Sequence, residues 1–392
     1  MPPLEGRRLW FVGIGGAGLS AYALLAQAWG AEVAGWDRNE TPYLEHVREA
    51  GIPVTVSRDP EPPEGWEAVV SSAYPSVPGT SRAELLAELV SLRPSIVVAG
   101  THGKTTTTAM IAFALVETGR DPCMLLGADL PQLGGNARAG EGWLVVEGDE
   151  SDRTVERLRP EIAVLTNVEL DHHATFASTA EVEELFERWA AQVPHVVRGW
   201  ELEPTELLLA VPGEHNRLDA AAALAALELA GVPRADAAAA LERFRGAARR
   251  FERVGEAGGV AVYDDYAHHP TEVAAALAAA RGLGPERVLV LFQPHLPSRT
   301  RYLARELGGA LAAADAACVT EVYAAREEPS VSGRAVVDGL SEARPGMTIG
   351  WAPALEDGAR IVAGWARPGD LVLVAGAGDV DKAVPLILEA LG

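Results

Sequence analysis

At 392 residues, 48% of them hydrophobic and 22% charged, the chain has the composition of a soluble globular protein with room for two to three domains, each able to bury a core of its own. A formal net charge of −22 argues against nucleic acid as a partner, while a phosphorylated small molecule held by local arginines and helix N-termini remains open. No apolar run reaches the roughly 18 residues of a membrane span and no basic stretch precedes an apolar signal core, so the expected location is the cytoplasm, away from the membrane.

The first predicted strand, residues 9–12, runs into Gly13-Ile14-Gly15-Gly16-Ala17-Gly18 and a helix over 19–29. A second strand, 33–36, ends at Asp37. Glycines between a strand and a helix let a backbone approach a diphosphate, and an acidic residue after the next strand meets a ribose. The pattern does not separate NAD from another diphosphate-bearing nucleotide, and by itself it would allow a dehydrogenase. A strand over 67–72 ends in Ser71-Ser72-Ala73, a helix follows over 81–92, and Pro94 closes a first domain at about residue 93.

Residues 95–108, SIVVAGTHGKTTTT, organise the rest. The β-branched run 96–98 reads as a buried strand, 100–103 as a tight loop and 105–116 as a helix. Amides at a helix start point at an anion, glycines admit it and a lysine adds charge. Gly100 and Gly103 are separated by two residues where the general phosphate loop has four, yet Lys104 is one of only two lysines in the chain, the other being Lys382. The hydroxyl of Thr105 directly after it suits Mg2+.

Residues 125–136 read as a glycine-rich loop, and 143–146 as a strand with Glu147, Asp149, Glu150 and Asp152 at its carboxyl end. Carboxylates opposite a phosphate loop suit Mg2+, which takes a few carboxylates with phosphate oxygens and water. Strand 162–166 ends in Asn167-Val168-Glu169-Leu170-Asp171-His172-His173. An imidazole there reads as a second metal position, as a substrate-orienting group or as a loop histidine with internal partners. Gly213-Glu214-His215-Asn216 opens a helix over 218–229, where Asn216 is a cap or a base contact, and another helix follows over 235–244.

The last third begins near Arg249-Arg250-Phe251-Glu252. Strand 260–263 leads into Asp264-Asp265-Tyr266-Ala267-His268-His269-Pro270, and strand 288–292 into Gln293-Pro294-His295 with Ser298-Arg299. A helix over 271–281 separates them; strands 317–320 and 371–375 complete the alternation. Polar clusters at successive strand ends are where a doubly wound domain puts its site. Cys123 and Cys318 lie in separate apolar segments without metal-ligand spacing and read as buried free thiols.

Taken together, GIGGAGLS, AGTHGKTTTT, VEGDESD, TNVELDHH, GEHN, RRFE, DDYAHHPTE, FQPH with SRT, VYAAREEP and GAGDVDK resemble, in this order, the Mur ligases. The resemblance implies an α/β protein of three domains: a Rossmann-like domain for a UDP-sugar (1–93), a central phosphate-loop ATPase with a mostly parallel sheet (94–247, shortened), and a C-terminal Rossmann-like domain (248–392). It implies ATP and two Mg2+ as cofactors, and a carboxylate joined to an amine through an acyl phosphate. DDYAHHPTE with FQPH points to the branch acting on UDP-N-acetylmuramate and L-alanine. A tripeptide-adding recycling ligase and a catalytically weakened homologue are the alternatives, and monomer and homodimer both remain open.

By position, the resemblance assigns Gly100, Thr101, His102, Gly103, Lys104, Thr105, Thr106, Asn216, Arg250 and Asp264 to ATP. It assigns Thr105, Glu147 and His172 to metal, and Gly13, Gly15, Gly16, Ala17, Gly18, Asp37, Ser71 and Ser72 to the UDP-sugar. Tyr266, His268 and Arg299 would hold the amino acid, with Lys104, His172, His268, His295 and Arg299 at the reacting centre. Three departures stand out: the chain is short between Ser72 and Ser81, shorter still between Ala177 and Pro212, and carries Leu296 where many relatives have arginine.

Overall fold

The computed structural model describes residues 2–71, 73–325 and 327–392. Three sheets organise the chain, and they fall into two compact units. One comprises 1–169, 178–209 and 218–245, the other 170–177, 210–217 and 246–392.

In the first unit the N-terminal sheet is built from β1 (Arg8–Val12), β2 (Glu32–Asp37), β3 (Val54–Val56), β4 (Glu67–Val70) and β5 (Thr80–Ser81), with helices α1 (Ala17–Ala28), α2 (Tyr43–Glu49) and α3 (Arg82–Ser91). The strands are all parallel in the order β3-β2-β1-β4-β5. Chain order reverses between β1 and β4, so a crevice opens at their carboxyl ends, where the first glycine loop stands. In the short stretch after Ser72, β4 is followed directly by β5, with no helix between them among the described residues.

The second sheet runs β11-β10-β6-β9-β7-β8. Its strands are β6 (Ser95–Ala99), β7 (Cys123–Leu130), β8 (Gly135–Arg138), β9 (Leu144–Glu147), β10 (Ile162–Leu165) and β11 (His195–Arg198), with α4 (Lys104–Glu117), α5 (Thr179–Ala190), α6 (Glu214–Leu229) and α7 (Arg234–Leu241). Every residue of β6 is buried, as its β-branched run requires of a central strand. Residues 125–136, expected as a loop, instead form most of an antiparallel pair, β7 with β8. The reason is tertiary: β7 also pairs in parallel with β9, and Cys123 to Leu126 are buried. In the shortened stretch, α5 and β11 are present and 202–213 carry no helix or strand. The α1 helix packs on β7 and β8, which merges the first two sheets into one compact unit.

The third sheet, in the second unit, runs β12-β13-β17-β14-β15-β16. It comprises β12 (Glu252–Ala257), β13 (Val260–Asp265), β14 (Val288–Phe292), β15 (Ala316–Val319), β16 (Thr348–Trp351) and β17 (Leu371–Ala375), and is parallel except for β12. Its helices are α8 (Pro270–Gly282), α9 (Pro297–Leu311), α10 (Arg334–Ala343), α11 (Leu355–Trp365) and α12 (Ala383–Leu391). Alternation along a strand sends side chains to opposite faces. Val288, Val290 and Phe292 thus join Leu277, Leu307 and Leu340 in one core, while Leu289 and Leu291 join Val362, Val384 and Ile387 in another. β13 extends through Asp265, so Asp264 and Asp265 stand on the strand rather than in the loop after it. Among the described residues no helix is long and apolar enough to cross a membrane.

The shortened stretch is tied to the core by Trp189 of α5, 1% exposed, whose Nε1 donates to the Leu158 carbonyl at 2.9 Å. Trp189→Phe orphans that carbonyl and is expected to cost about 1–2 kcal/mol; Trp189→Ala also opens a cavity and should cost about 3–5 kcal/mol. Urea unfolding of both variants checks the order.

Candidate active site

The phosphate loop follows β6, and the segment after β10 clasps it. Thr166 Oγ1 and Asn167 Nδ2 both donate to the His102 carbonyl, at 2.5 and 3.0 Å. Asn167 Oδ1 accepts from the His102 amide at 2.9 Å, and Thr101 Oγ1 accepts from the Glu169 amide at 2.9 Å. His102 Nε2 meets Glu169 Oε2 at 2.8 Å. The closeness of the fit explains the glycines. At Gly100, with φ +126°, a Cβ would stand 2.2 Å from Thr166 Oγ1; at Gly103, with φ +79°, it would stand 2.4 Å from Asp219 Oδ1. Both conformations also favour glycine.

Lys104 opens α4. Its ammonium donates to the carbonyls of Gly100 and Thr101 and reaches both oxygens of Glu150, at 3.1 and 3.0 Å. Burial would lower the Lys104 pKa, but Glu150 and Asp149 raise it, so the group stays charged. Asp149, though burial opposes it, is held down to about 2 by Arg82 and Lys104. One residue further, Thr105 Oγ1 lies 2.9 Å from Glu147 Oε2, while Glu147 Oε1 accepts from the Gly127 amide at 2.7 Å. Two cis oxygens on an octahedral cation with bonds of about 2.1 Å stand about 3 Å apart, so this pair fits a small, hard divalent ion without rearrangement. Thr106 is buried behind the loop.

In the first glycine loop, Gly13 enters at φ +86° and Gly16 caps α1, which begins at Ala17. Asp37, expected to meet a ribose, is 6% exposed and braces the loop: Oδ2 accepts from the Gly15 amide at 2.8 Å and Oδ1 from Asn39. Gly18 faces the guanidinium of Arg82. Ser71 Oγ accepts from the Ala73 amide; Ser72 lies outside the described residues.

The remaining predicted residues stand in the second unit. Arg299, on the first turn of α9, is bidentate to Asp171: Nε to Oδ1 at 2.8 Å and Nη2 to Oδ2 at 2.9 Å, the side chains 3% and 4% exposed. Its Nη1 donates to His295 Nδ1 at 3.2 Å. The guanidinium expected to touch substrate is thus taken up in holding Asp171 and His295, because a buried charge needs a partner. Burial would raise Asp171, but Arg299, His172 and His268 hold it well below the usual carboxylate range. His172 sits at φ +52° with Nε2 3.6 Å from Asp171.

His268 Nδ1 donates to the Tyr266 carbonyl at 2.8 Å, and its ring stands edge-on to Tyr266 and His295. Burial pushes His268 down to about 4 against the pull of Glu272, and burial with His268 and Arg299 pushes His295 down to about 3. Both imidazoles are neutral at pH 7. Arg250 lies over the Tyr266 ring at 4.8 Å. Asp264 is reached by Arg249, Nε to Oδ2 at 3.1 Å, and the same arginine donates to the carbonyls of Gly376 and Gly378. Asn216 Nδ2 donates to the Pro212 carbonyl, a bond within its own loop.

Sequence reasoning passed over Arg82, Asp171 and Arg249. Asp171 lies in TNVELDHH beside His172 and Arg249 in RRFE beside Arg250; Arg82 follows Ser81 with no motif to mark it.

The two lowered imidazoles set a pH dependence. Their folded values lie below the unfolded one near 6.5, so falling pH protonates the unfolded chain first; stability is full above about 7 and declines from about 6.5 to about 4 for His268 and on to about 3 for His295. His268→Gln should therefore lose about 2 kcal/mol less than the wild type between pH 7 and pH 5, as read from urea unfolding at each pH.

Three family models match in order: Mur ligase family, catalytic domain, over 8–93; Mur ligase middle domain over 98–197; and Mur ligase, glutamate ligase domain, over 249–378. The chain is similar to the UDP-N-acetylmuramate–L-alanine ligase of Streptomyces coelicolor, 40% identical over 452 aligned residues covering 97% of each protein. That alignment is longer than the chain, as segments absent here require. The crystal structure of the UDP-N-acetylmuramate-alanine ligase of Thermotoga maritima matches with a TM-score of 0.81 at 27% identity, covering 97% of this chain and 98% of that one. A murein peptide ligase of Psychrobacter arcticus is alike in fold, with a TM-score of 0.68 at 23% identity and 99% of each chain covered. With near-complete coverage and the motifs in order, the chain belongs to the Mur ligase family.

Proposed function

We propose that the protein uses ATP to join L-alanine to the lactyl carboxylate of UDP-N-acetylmuramate. The observation that carries this reading is the 40% identity to an alanine-adding ligase across 97% of both chains. A phosphate loop with its lysine and acidic partners in place supports the same reading.

In this reaction a carboxylate oxygen attacks the γ-phosphorus, the bond to the bridging oxygen breaks and ADP leaves. Lys104 and the loop amides face the charge that spreads over the transferring group. Mg2+ supplies further neutralisation of phosphate charge, and Thr105 Oγ1 with Glu147 Oε2, 2.9 Å apart, are the oxygens that would hold it; His172 is the candidate for a second ion. The alanine nitrogen then attacks the acyl carbon, the amide bond forms and phosphate departs. His268, neutral and donating through Nδ1 to Tyr266, keeps an Nε2 lone pair suited to accept a hydrogen bond from the incoming amine. His295 and Arg299 position that region, and Asn216, Arg250 and Asp264 are assigned to ATP. The UDP diphosphate is assigned to the loop from Gly13 to Gly18 and to Ser71. A cytoplasmic enzyme fits a reaction on soluble substrates.

The test is phosphate release from Mg-ATP with UDP-N-acetylmuramate, with and without L-alanine, with mass detection of the product. Alanine-dependent release with stoichiometric UDP-N-acetylmuramoyl-alanine is expected; release with a tripeptide in place of free alanine would overturn the assignment. Lys104→Ala should lower kcat by roughly 10²–10³-fold. Glu147→Gln should raise the Mg2+ concentration for half-maximal rate by at least about tenfold, read from a metal titration at saturating ATP.

A further inference from the structure

Arg82 is the first residue of α3, behind a capping box formed by Ser81 and Glu84. Its side chain leaves the helix and touches two loops. Nη2 donates to Asp152 Oδ2 at 2.9 Å and to Asp149 Oδ2 at 3.2 Å, both in the acidic loop after β9. Nη1 lies where a Cβ on Gly18, the last glycine of the first loop, would stand 3.6 Å away. Nε is buried without a hydrogen-bond partner, a costly state for a guanidinium atom. Tyr22, buried on α1, lies within electrostatic reach of Arg82, Asp149, Glu147 and Asp152 together.

These contacts form one chain of charge inside the first unit. Lys104 holds Glu150; Asp149 and Asp152 of the same loop hold Arg82; Arg82 abuts Gly18. The acidic loop begins at Glu147, so whatever fixes Asp149 and Asp152 also fixes the carboxylate beside Thr105. A diphosphate oxygen at the first loop would approach the guanidinium from the Nη1 side, the edge that stands beside Gly18.

We infer that Arg82 is a positioning residue coupling the two nucleotide sites: it meets the diphosphate at the first glycine loop and, through Asp149 and Asp152, sets the acidic loop for Mg-ATP. The inference rests on the reading of the first loop as the UDP-diphosphate site. Coupling of this kind is reciprocal, each ligand tightening the other by one factor. A residue that merely stabilises the fold would change melting temperature and leave that factor alone.

The experiment is calorimetric titration of the full chain with UDP-N-acetylmuramate, and with a non-hydrolysable ATP analogue plus Mg2+, each alone and with the other present. In the wild type each ligand should tighten the other by roughly fivefold or more. Arg82→Gln should bring both factors to about one, and Asp152→Asn, which leaves the Asp149 contact, should reduce them partially. Thermal unfolding establishes that each variant is folded, and Asp152→Asn decides alone if Arg82→Gln does not fold. Coupling unchanged in the folded variants, or absent from the wild type, overturns the inference and leaves the diphosphate assignment standing. Failure of the wild type to bind UDP-N-acetylmuramate overturns the assignment, and the inference with it.

Discussion

The first unit depends on how near the phosphate loop comes to its neighbours. At Gly100 and Gly103 there is no room for a Cβ, because Thr166 and Asp219 already occupy the space within about a bond and a half of where it would sit. Their closeness lets Thr166, Asn167 and Glu169 hydrogen-bond the loop along its length. A loop held at Thr101 and His102 keeps one geometry, and pre-organised donors are what stabilise charge developing on a transferring phosphoryl group. The direction of Lys104, and through Glu150 the course of the acidic loop, follow from that clasp.

The two units solve the problem of buried polarity differently. In the first, charges are kept and paired: Lys104 with Glu150, Arg82 with Asp149 and Asp152. In the second, the Asp171–Arg299 pair is kept charged by two parallel hydrogen bonds, while His268 and His295 beside it give up their protons. Neutrality follows first from burial, and Arg299 adds to it: a guanidinium cannot deprotonate, so in a site already holding one fixed cation a second and third positive charge are disfavoured. The imidazoles then act as directional donors and acceptors instead of counter-ions.

Strand-end chemistry was legible in the sequence because it lies on contiguous residues. β-branched runs marked β6, β10 and β14, and the polar residues immediately after each run fell at the carboxyl edge of the sheet by topology alone. What was not legible is what depends on separation. Asp171 and Arg299 are 128 residues apart, and no local period announces such a pair. Gly127, Gly134 and Gly135 hid β7 and β8, whose pairing is set by β9. Of the adjacent Arg249 and Arg250, the sequence could not say which reaches Asp264; backbone geometry decides it in favour of Arg249. Asp37 matched the position of a ribose contact, yet its carboxylate is turned to the Gly15 amide: spacing locates a residue without fixing its partner.

That backbone geometry is itself costly. His172, Arg249, Phe251 and Leu296 all have left-handed φ, between +52° and +67°, a region that disfavours residues with a Cβ by on the order of 1 kcal/mol or more each. Each is pinned by a hydrogen bond from elsewhere. The Arg249 amide donates to Glu252, the Phe251 amide to Asp265 and the Leu296 amide to the Tyr323 carbonyl, and the His172 carbonyl accepts from Thr175 and Phe176. Strain persists only where surrounding contacts over-determine it. Here it falls at the turns that aim Arg249 at Asp264, start α9 below Arg299 and seat His172 beside Asp171. At the position after His295, Leu296 stands where the sequence resemblance led to an expected arginine, and the turn does not depend on which is present: the backbone bond to Tyr323 needs no particular side chain, and Thr300 Oγ1 donates to the Leu296 carbonyl at 2.9 Å from the next turn of the helix.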